Sequence, residues 1–214
     1  MQIIIFGAPG VGKGTQAKII AQKYNIKHIS TGDILRESVA KGTALGLAAK
    51  EVMERGDLVS DDLMGKLVKE TLNGFDYQKG FILDGFPRTL AQCKITDTIF
   101  EELNISNPIL ILLKADTEII VRRLTSRRQC SACGAIITLN DIKEPDVCPK
   151  CNARNTLIKR KDDSEEVVRR RLKVFRETTL PVIEYYQGKY RVEIINGTQP
   201  IEKVTKDIEA VLNK

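Results

Sequence analysis

The sequence predicts an α/β protein, a three-layer core in which a five-stranded parallel sheet lies between helices, carrying a small helical lobe and a cysteine-bearing lobe. Three observations predict it. Short apolar runs alternate with stretches of helical period along the chain, the pattern of parallel strands joined by crossover helices. A glycine-rich turn joins the first such strand to the first helix. Between Gln129 and Lys159 the alternation stops, and four cysteines and several turn residues take over.

Gln2-Ile3-Ile4-Ile5-Phe6 reads as a strand buried on both faces. Gly7-Ala8-Pro9-Gly10-Val11-Gly12-Lys13-Gly14-Thr15-Gln16 follows and leads into a helix from Lys13 to about Tyr24. The N–H groups that open a helix have no intrahelical partner, and the helix dipole favours negative charge there. Glycines remove the Cβ atoms that would keep an anion off the backbone, and Lys13 adds a mobile cation. This is a P-loop reading, in which Gly10, Val11, Gly12, Lys13, Gly14 and Thr15 hold nucleotide phosphate. The general pattern places Ser or Thr directly after the lysine to hold magnesium, whereas here Gly14 stands there and Thr15 follows. An ordinary tight βα turn would explain two glycines, but explains four glycines and a lysine poorly.

The remaining elements follow in order. A brief strand around His28-Ile29 precedes Ser30-Thr31-Gly32-Asp33, which has the form of a helix N-cap. Two helical segments, near Ile34–Lys41 and Thr43–Arg55, are split by Gly42, and Gly56-Asp57 closes this lobe. Ser60-Asp61-Asp62 caps a helix through about Leu72. Phe81-Ile82-Leu83 is a strand ending in Asp84-Gly85-Phe86-Pro87-Arg88, and Thr89 to about Leu103 is helical. Pro108 to Leu113 is a further buried strand, and Asp116-Thr117 opens a helix expected to contain Arg122 to Arg128. Beyond the cysteine-rich lobe, Asp163-Ser164 caps a long helix through about Gln187; Val192–Ile195 is the last strand and Pro200 starts the last helix.

Composition narrows the class. At 214 residues, 42% hydrophobic and 29% charged, the chain is long enough and apolar enough to bury a real core. It has no run of eighteen apolar residues and no signal-type segment before the first strand, so the expectation is a cytoplasmic protein without a membrane span. A formal net charge of +6 suits either nucleic acid or small polyanions.

Four groups of residues carry chemistry. Asp84, at the end of an apolar strand, stands where a P-loop fold places the acid that holds Mg²⁺, although Asp-Gly is also common turn chemistry. Arg36, Arg88, Arg123, Arg127, Arg160 and Arg171 fall near element ends or in the lobes. Any one of them reads as a solvated surface charge, but phosphoryl transfer gives a reason for many, because its transition state spreads charge over oxygens that forked guanidiniums can hold. Arg123 and Arg127, spaced i, i+4, are expected to share a helix face. Cys130-x-x-Cys133, followed after fourteen residues by Cys148-x-x-Cys151, has the form of two zinc knuckles. Four thiolates leave a metal no open position, so such a site is structural; paired disulfides and an iron–sulfur cluster are the other readings. The single His28 and the isolated Cys93 read as structural.

Taken together, Gly7 to Thr15, Thr31-Gly32-Asp33, Asp84-Gly85-Phe86-Pro87-Arg88-Thr89 and Arg160-Lys161-Asp162-Asp163 resemble the adenylate kinase family, in its long form with a zinc-bearing lid. The resemblance runs in order along essentially the whole chain. It implies a core of residues 1–29, 60–121 and 160–214, an AMP-binding lobe of 30–59 and a zinc lid of 122–159. It implies the reaction of ATP with AMP to give two ADP, Mg²⁺ with the ATP, a structural Zn²⁺, and a monomer that binds no nucleic acid and no membrane. Lys13, Asp84, Arg88, Arg123, Arg160 and Arg171 would then be catalytic. ATP would meet residues 10–15, Arg123, Arg127, Ile136, Ile137 and Gln199. AMP would meet Thr31, Arg36, Asp57, Leu58, Val59, Gly85, Arg88 and Gln92, with Arg160 and Arg171 closing over the phosphates and Gln92 reading the adenine edge. The competing readings are a kinase for another nucleoside monophosphate, a zinc-ribbon ATPase that binds nucleic acid, and a P-loop nucleotide sensor. Salt-dependent binding of RNA or DNA marks the second and absence of ADP formation the third.

Overall fold

The computed structural model describes residues 1–139 and 142–213. Its central sheet is built from β1 (Gln2–Gly7), β2 (Lys27–Ser30), β3 (Phe81–Asp84), β4 (Ile109–Lys114) and β8 (Arg191–Asn196), in the order β2-β3-β1-β4-β8 with every pairing parallel. Successive side chains on a strand point to opposite faces, and the three inner strands divide accordingly. Ile4, Phe6, Phe81, Leu83, Leu110 and Leu112 join one apolar cluster, whereas Ile3, Ile5, Ile82, Ile111 and Leu113 join another. Each such side chain, fully buried, contributes roughly 1.5–3 kcal/mol.

The first cluster is covered by α4 (Asp61–Asn73), α5 (Leu90–Glu102) and α8 (Leu180–Tyr186), the second by α1 (Lys13–Tyr24) and α9 (Ile201–Leu212). Those are the three layers that the alternation predicts. A third, smaller cluster joins Ala8 to α6 (Thr117–Thr125) and α7 (Glu165–Val174) through Ile120, Leu124, Val168 and Leu172. The carboxyl ends of β1 and β3 therefore open between α1, α6 and α7, where an open α/β sheet places its ligand.

α2 (Thr31–Ala40) and α3 (Ala44–Arg55) form a helical pair beside that opening. α2 starts three residues earlier than the periodicity indicates, because the Ser30 hydroxyl accepts from Asp33 N–H at 3.2 Å and so caps the first turn. Ser60, by contrast, makes no side-chain cap to α4.

Two further expectations are corrected. The helix expected to hold Arg122 to Arg128 stops at Thr125, where the Thr125 and Ser126 hydroxyls turn back onto the carbonyls of Val121 and Arg122. Arg127 and Arg128 instead lie on β5 (Arg127–Cys130), which pairs antiparallel with β6 (Ile136–Thr138) and β7 (Leu157–Ile158). Arg123 and Arg127 therefore do not share a helix face. The long helix expected through Gln187 is interrupted by a wide π turn at Phe175–Thr179. Pro181 follows it and has no N–H to offer a carbonyl one turn back.

Candidate active site

Gly12 caps α1 at φ 111°, a backbone conformation that glycine adopts without penalty. Nothing lies within 4 Å of where its Cβ would stand. The N–H groups of the first helical turn have no intrahelical partner, and such groups are where a helix receives an anion. Lys13 Nζ donates to Gly7 O at 2.7 Å and Ala8 O at 3.0 Å, folded back over the loop. Burial lowers the Lys13 ammonium to about 8; Arg88, Arg171 and Arg127 push the same way and the Asp84 carboxylate resists. Asp84 itself is nearly buried at the end of β3, with its Oδ2 3.6 Å from His28 Nε2. His28 Nε2 is buried without a hydrogen bond among the described residues.

Next to the loop lies a pocket between the helical pair and the core. Its polar lining includes Thr31, Arg36, Gly85, Arg88, Gln92, Asp162, Arg171 and Thr179, with the 57–59 segment along one side. Thr31 Oγ1 donates to Gly85 O at 3.0 Å, and Arg88 Nε donates to the same oxygen at 2.8 Å. Gly85, at φ 91°, has no room for a side chain, since a Cβ would stand 2.7 Å from Thr31 Oγ1 and 2.9 Å from Arg88 Nη2. The apolar part of the lining is Leu35, Met53, Val59, Met64, Val174 and Phe175.

The guanidiniums crowd one another. Burial, then the neighbouring charge of Arg171, pulls Arg88 down to about 10; burial and Arg36 do the same to Arg160. Burial also lowers Arg171, with Arg127 and Arg36 adding to it against Asp162 and Asp163. Cations that weaken one another in a partly dry cleft are relieved by an anion, so the geometry favours a ligand with several negative charges.

A second group gathers on the other side of the loop. Arg123 donates to Gly197 O at 2.8 Å and Thr198 O at 3.2 Å. Gly197 packs so closely on Val11 that a Cβ there would come within 2.7 Å of it. Arg127 binds Asp163 through two bonds of 2.7 and 2.6 Å, and Arg171 lies 2.8 Å from Asp162. Asp162 is held below the ordinary carboxylate range: its burial works the other way but is outweighed by Arg171 and its neighbours.

The cysteine lobe repeats one local design. Cys130 N–H donates to Ala135 O and Cys148 N–H to Ala153 O, both at 2.9 Å. Gly134 N–H closes on Cys130 O and Asn152 N–H on Cys148 O, both at 2.8 Å. The four sulfurs all lie within 4.8 Å of one another, with Cys130–Cys151 and Cys133–Cys148 each at 3.7 Å. A tetrahedron with metal–sulfur bonds of ~2.3 Å has edges of roughly 3.8 Å, whereas a disulfide needs about 2 Å. The donor set fits a tetrahedral metal. The Thr156 hydroxyl, 3.2 Å from Cys130 Sγ, favours its thiolate and lowers that thiol to about 6.

Of the expected site residues, the structure brings Thr31, Arg36, Asp57, Leu58, Val59, Gly85, Arg88, Gln92 and Arg171 to one pocket. Arg160 is not in its lining; its Nε donates to Gln129 Oε1 at 2.9 Å. Ile136 and Ile137 lie on β6, the first exposed and the second buried. Gln199 Nε2 donates to Asn196 O and to Asp207 at 2.9 Å. Sequence reasoning missed Met53, Met64 and Phe175, whose apolar spacing looks like ordinary core, and it took Asp163 as a cap and as part of the Arg160–Asp163 segment without assigning it a partner. The acidic pair next to Arg160 was the signal available for Asp163.

The adenylate kinase family model matches residues 5–191. The chain is similar to the adenylate kinase of Petrotoga mobilis, 48% identical over 99% of this chain and 97% of that one. Similarity to the adenylate kinase of Archaeoglobus fulgidus is 49% over 100% of this chain and 99% of the relative. For that of a Geobacillus species it is 47%, over 99% and 98%.

Proposed function

The chain belongs to the adenylate kinase family and transfers a phosphoryl group between ATP and AMP, and from that premise we propose how its residues divide the work. One observation carries the proposal. Arg36, Arg88 and Arg171 line a single pocket with Gln92, while Lys13 on the glycine loop is close enough to Arg88 and Asp84 for both charges to act on its ammonium. Two anionic nucleotides can therefore meet with their phosphates between Lys13 and Arg88.

AMP takes the pocket, its phosphate on Arg36, Arg88 and Arg171 and its base near Gln92. ATP takes the loop, residues 10–15, with Arg123 and Arg127 alongside; Ile136, Ile137 and Gln199 stand toward its base and ribose. The AMP phosphate is itself the nucleophile, so no side chain needs to be one. The protein aligns the two groups, neutralises charge and keeps out the water that would hydrolyse ATP. Magnesium bound with ATP would supply positive charge across the β- and γ-phosphates, with Asp84 and Thr15 as the residues to hold it.

Two lobes, residues 30–59 and 122–159, close over the core of 1–29, 60–121 and 160–214, and Arg160 comes to the phosphates as they do. Cys130, Cys133, Cys148 and Cys151 hold a structural zinc that keeps the second lobe folded. Five cysteines without a disulfide suit a reducing cytoplasm, and a monomer suffices because one chain supplies both nucleotide sites. An assay of ADP formed from ATP with AMP, UMP, CMP and GMP tests the reading. AMP should be preferred; absence of ADP with AMP, or faster turnover with another monophosphate, would overturn it.

A further inference from the structure

Gln92 is 2% exposed, and both ends of its amide are engaged. Its Oε1 accepts from Arg88 N–H at 2.7 Å, and its Nε2 donates to Asp61 Oδ1 at 2.8 Å. Asp61, the first residue of α4, is itself fixed, accepting at the same oxygen from Thr89 Oγ1 at 3.0 Å. Thr89 caps α5 by accepting from Gln92 N–H at 3.1 Å, which closes the ring of contacts. Turning the amide over would set its oxygen against a carboxylate and its NH₂ against a backbone N–H, two encounters of like polarity. One orientation survives.

In that orientation Gln92 has one oxygen lone pair and one N–H uncommitted. Either edge of adenine offers the match, an amine hydrogen beside a ring nitrogen that accepts. A 6-oxo purine replaces the amine with a carbonyl oxygen and leaves the Gln92 oxygen facing an acceptor. The surrounding Leu35, Met53, Val59 and Met64 give such a mismatch little water to recover with.

We propose that Asp61 is a specificity-determining positioning residue: with the Arg88 N–H at the other end, it holds the Gln92 amide in the one orientation that accepts a 6-amino purine monophosphate and rejects a 6-oxo one. The inference rests on the reading of Gln92 as the group that meets the AMP base. Asp61 does not line the pocket and acts only through Gln92.

The test compares kcat/KM for AMP and inosine monophosphate, with ATP as donor, in the full chain and in Asp61→Asn. The amide introduced by that substitution can donate as well as accept, so one of the two encounters that fix the Gln92 amide is lifted and only the Arg88 N–H still opposes its turning. The AMP-to-inosine preference should fall, by at most the roughly 10- to 100-fold carried by one bidentate base contact, with AMP losing and inosine monophosphate gaining. A merely structural role would lower both rates together and keep the ratio, and that result would overturn the proposal. If circular dichroism shows Asp61→Asn unfolded, Asp61→Ser, whose hydroxyl also donates and accepts, decides by the same ratio. Unsubstituted protein that forms no ADP from ATP and AMP would instead remove the reading of the site itself, a failure seen before any variant is made.

Discussion

Arg127 grips Asp163 with a two-pronged fork, Nε to Oδ2 at 2.7 Å and Nη2 to Oδ1 at 2.6 Å, and the Asp163 side chain has no exposed surface. The pair ties β5 of the cysteine lobe to the start of α7, with Arg171 adding a third charge 3.5 Å from Asp163. Removing one partner of a buried pair leaves the other uncompensated, at about 3–5 kcal/mol. Asp163→Ala should therefore lower the urea midpoint, and the melting temperature by roughly 6–20 °C for a chain of this size. An unchanged midpoint would show that the pair contributes nothing.

Arg88→Ala and Arg123→Ala should each lower kcat by orders of magnitude, on the order of 10³ by analogy with other arginines that neutralise a transferring phosphoryl group. Stability should hardly change for Arg88→Ala, because the ligand-free fold already opposes its buried charge. A folded Arg88→Ala protein with near-normal turnover would remove the role assigned to it.

Zinc removal should act on the lobe before it acts on the chemistry. Protein purified without chelator should contain one zinc per chain, and chelation or Cys133→Ser should expose residues 127–158 to proteolysis and lower the melting temperature. Calorimetric titration should still detect AMP, because the pocket proposed for it contains none of the four cysteines. Metal analysis without stoichiometric zinc would refute the site.

Lys13 predicts a dependence on pH whose sign can be worked out. An unfolded lysine loses its proton near 10.4, the native one near 8. Between those values the unfolded chain binds more protons, so the Lys13 contribution to stability rises with pH there; below about 8 the native state bears the full cost of the buried charge. Function runs the other way. The cation that meets the ATP phosphates is lost above about 8, so kcat/KM for ATP should fall there, and ATP binding at pH 9 should take up a proton. Equal ATP affinity at pH 7 and 9 would contradict this.

The glycine loop, the cap at Ser30, the central strands and the cysteine knuckles were legible because each is a local pattern. Their hydrogen bonds close within a few residues, or their side chains repeat with a fixed period. Arg127 was misread because helical spacing continues past Ser126 in the letters; what ends the helix is pairing with residues 136–138 and 157–158, which periodicity cannot see. Strands of two to four residues are also too short for alternation to register. Asp61 looked like an ordinary helix-start acid, since its partner Gln92 stands 31 positions away. The π turn before Pro181 has no sequence period of its own.

The walls of the pocket proposed for AMP are drawn from Pro9 at one extreme and Thr179 at the other. A ribosome-bound chain therefore has no finished binding site until α7 and the π turn after it have emerged, however early β1 and the glycine loop have formed. On that reading AMP cannot assist the folding of the first half during synthesis and can only stabilise the nearly complete chain. A fragment ending at residue 160 should give no AMP signal in calorimetric titration, and measurable binding by it would show that the early elements make a site by themselves.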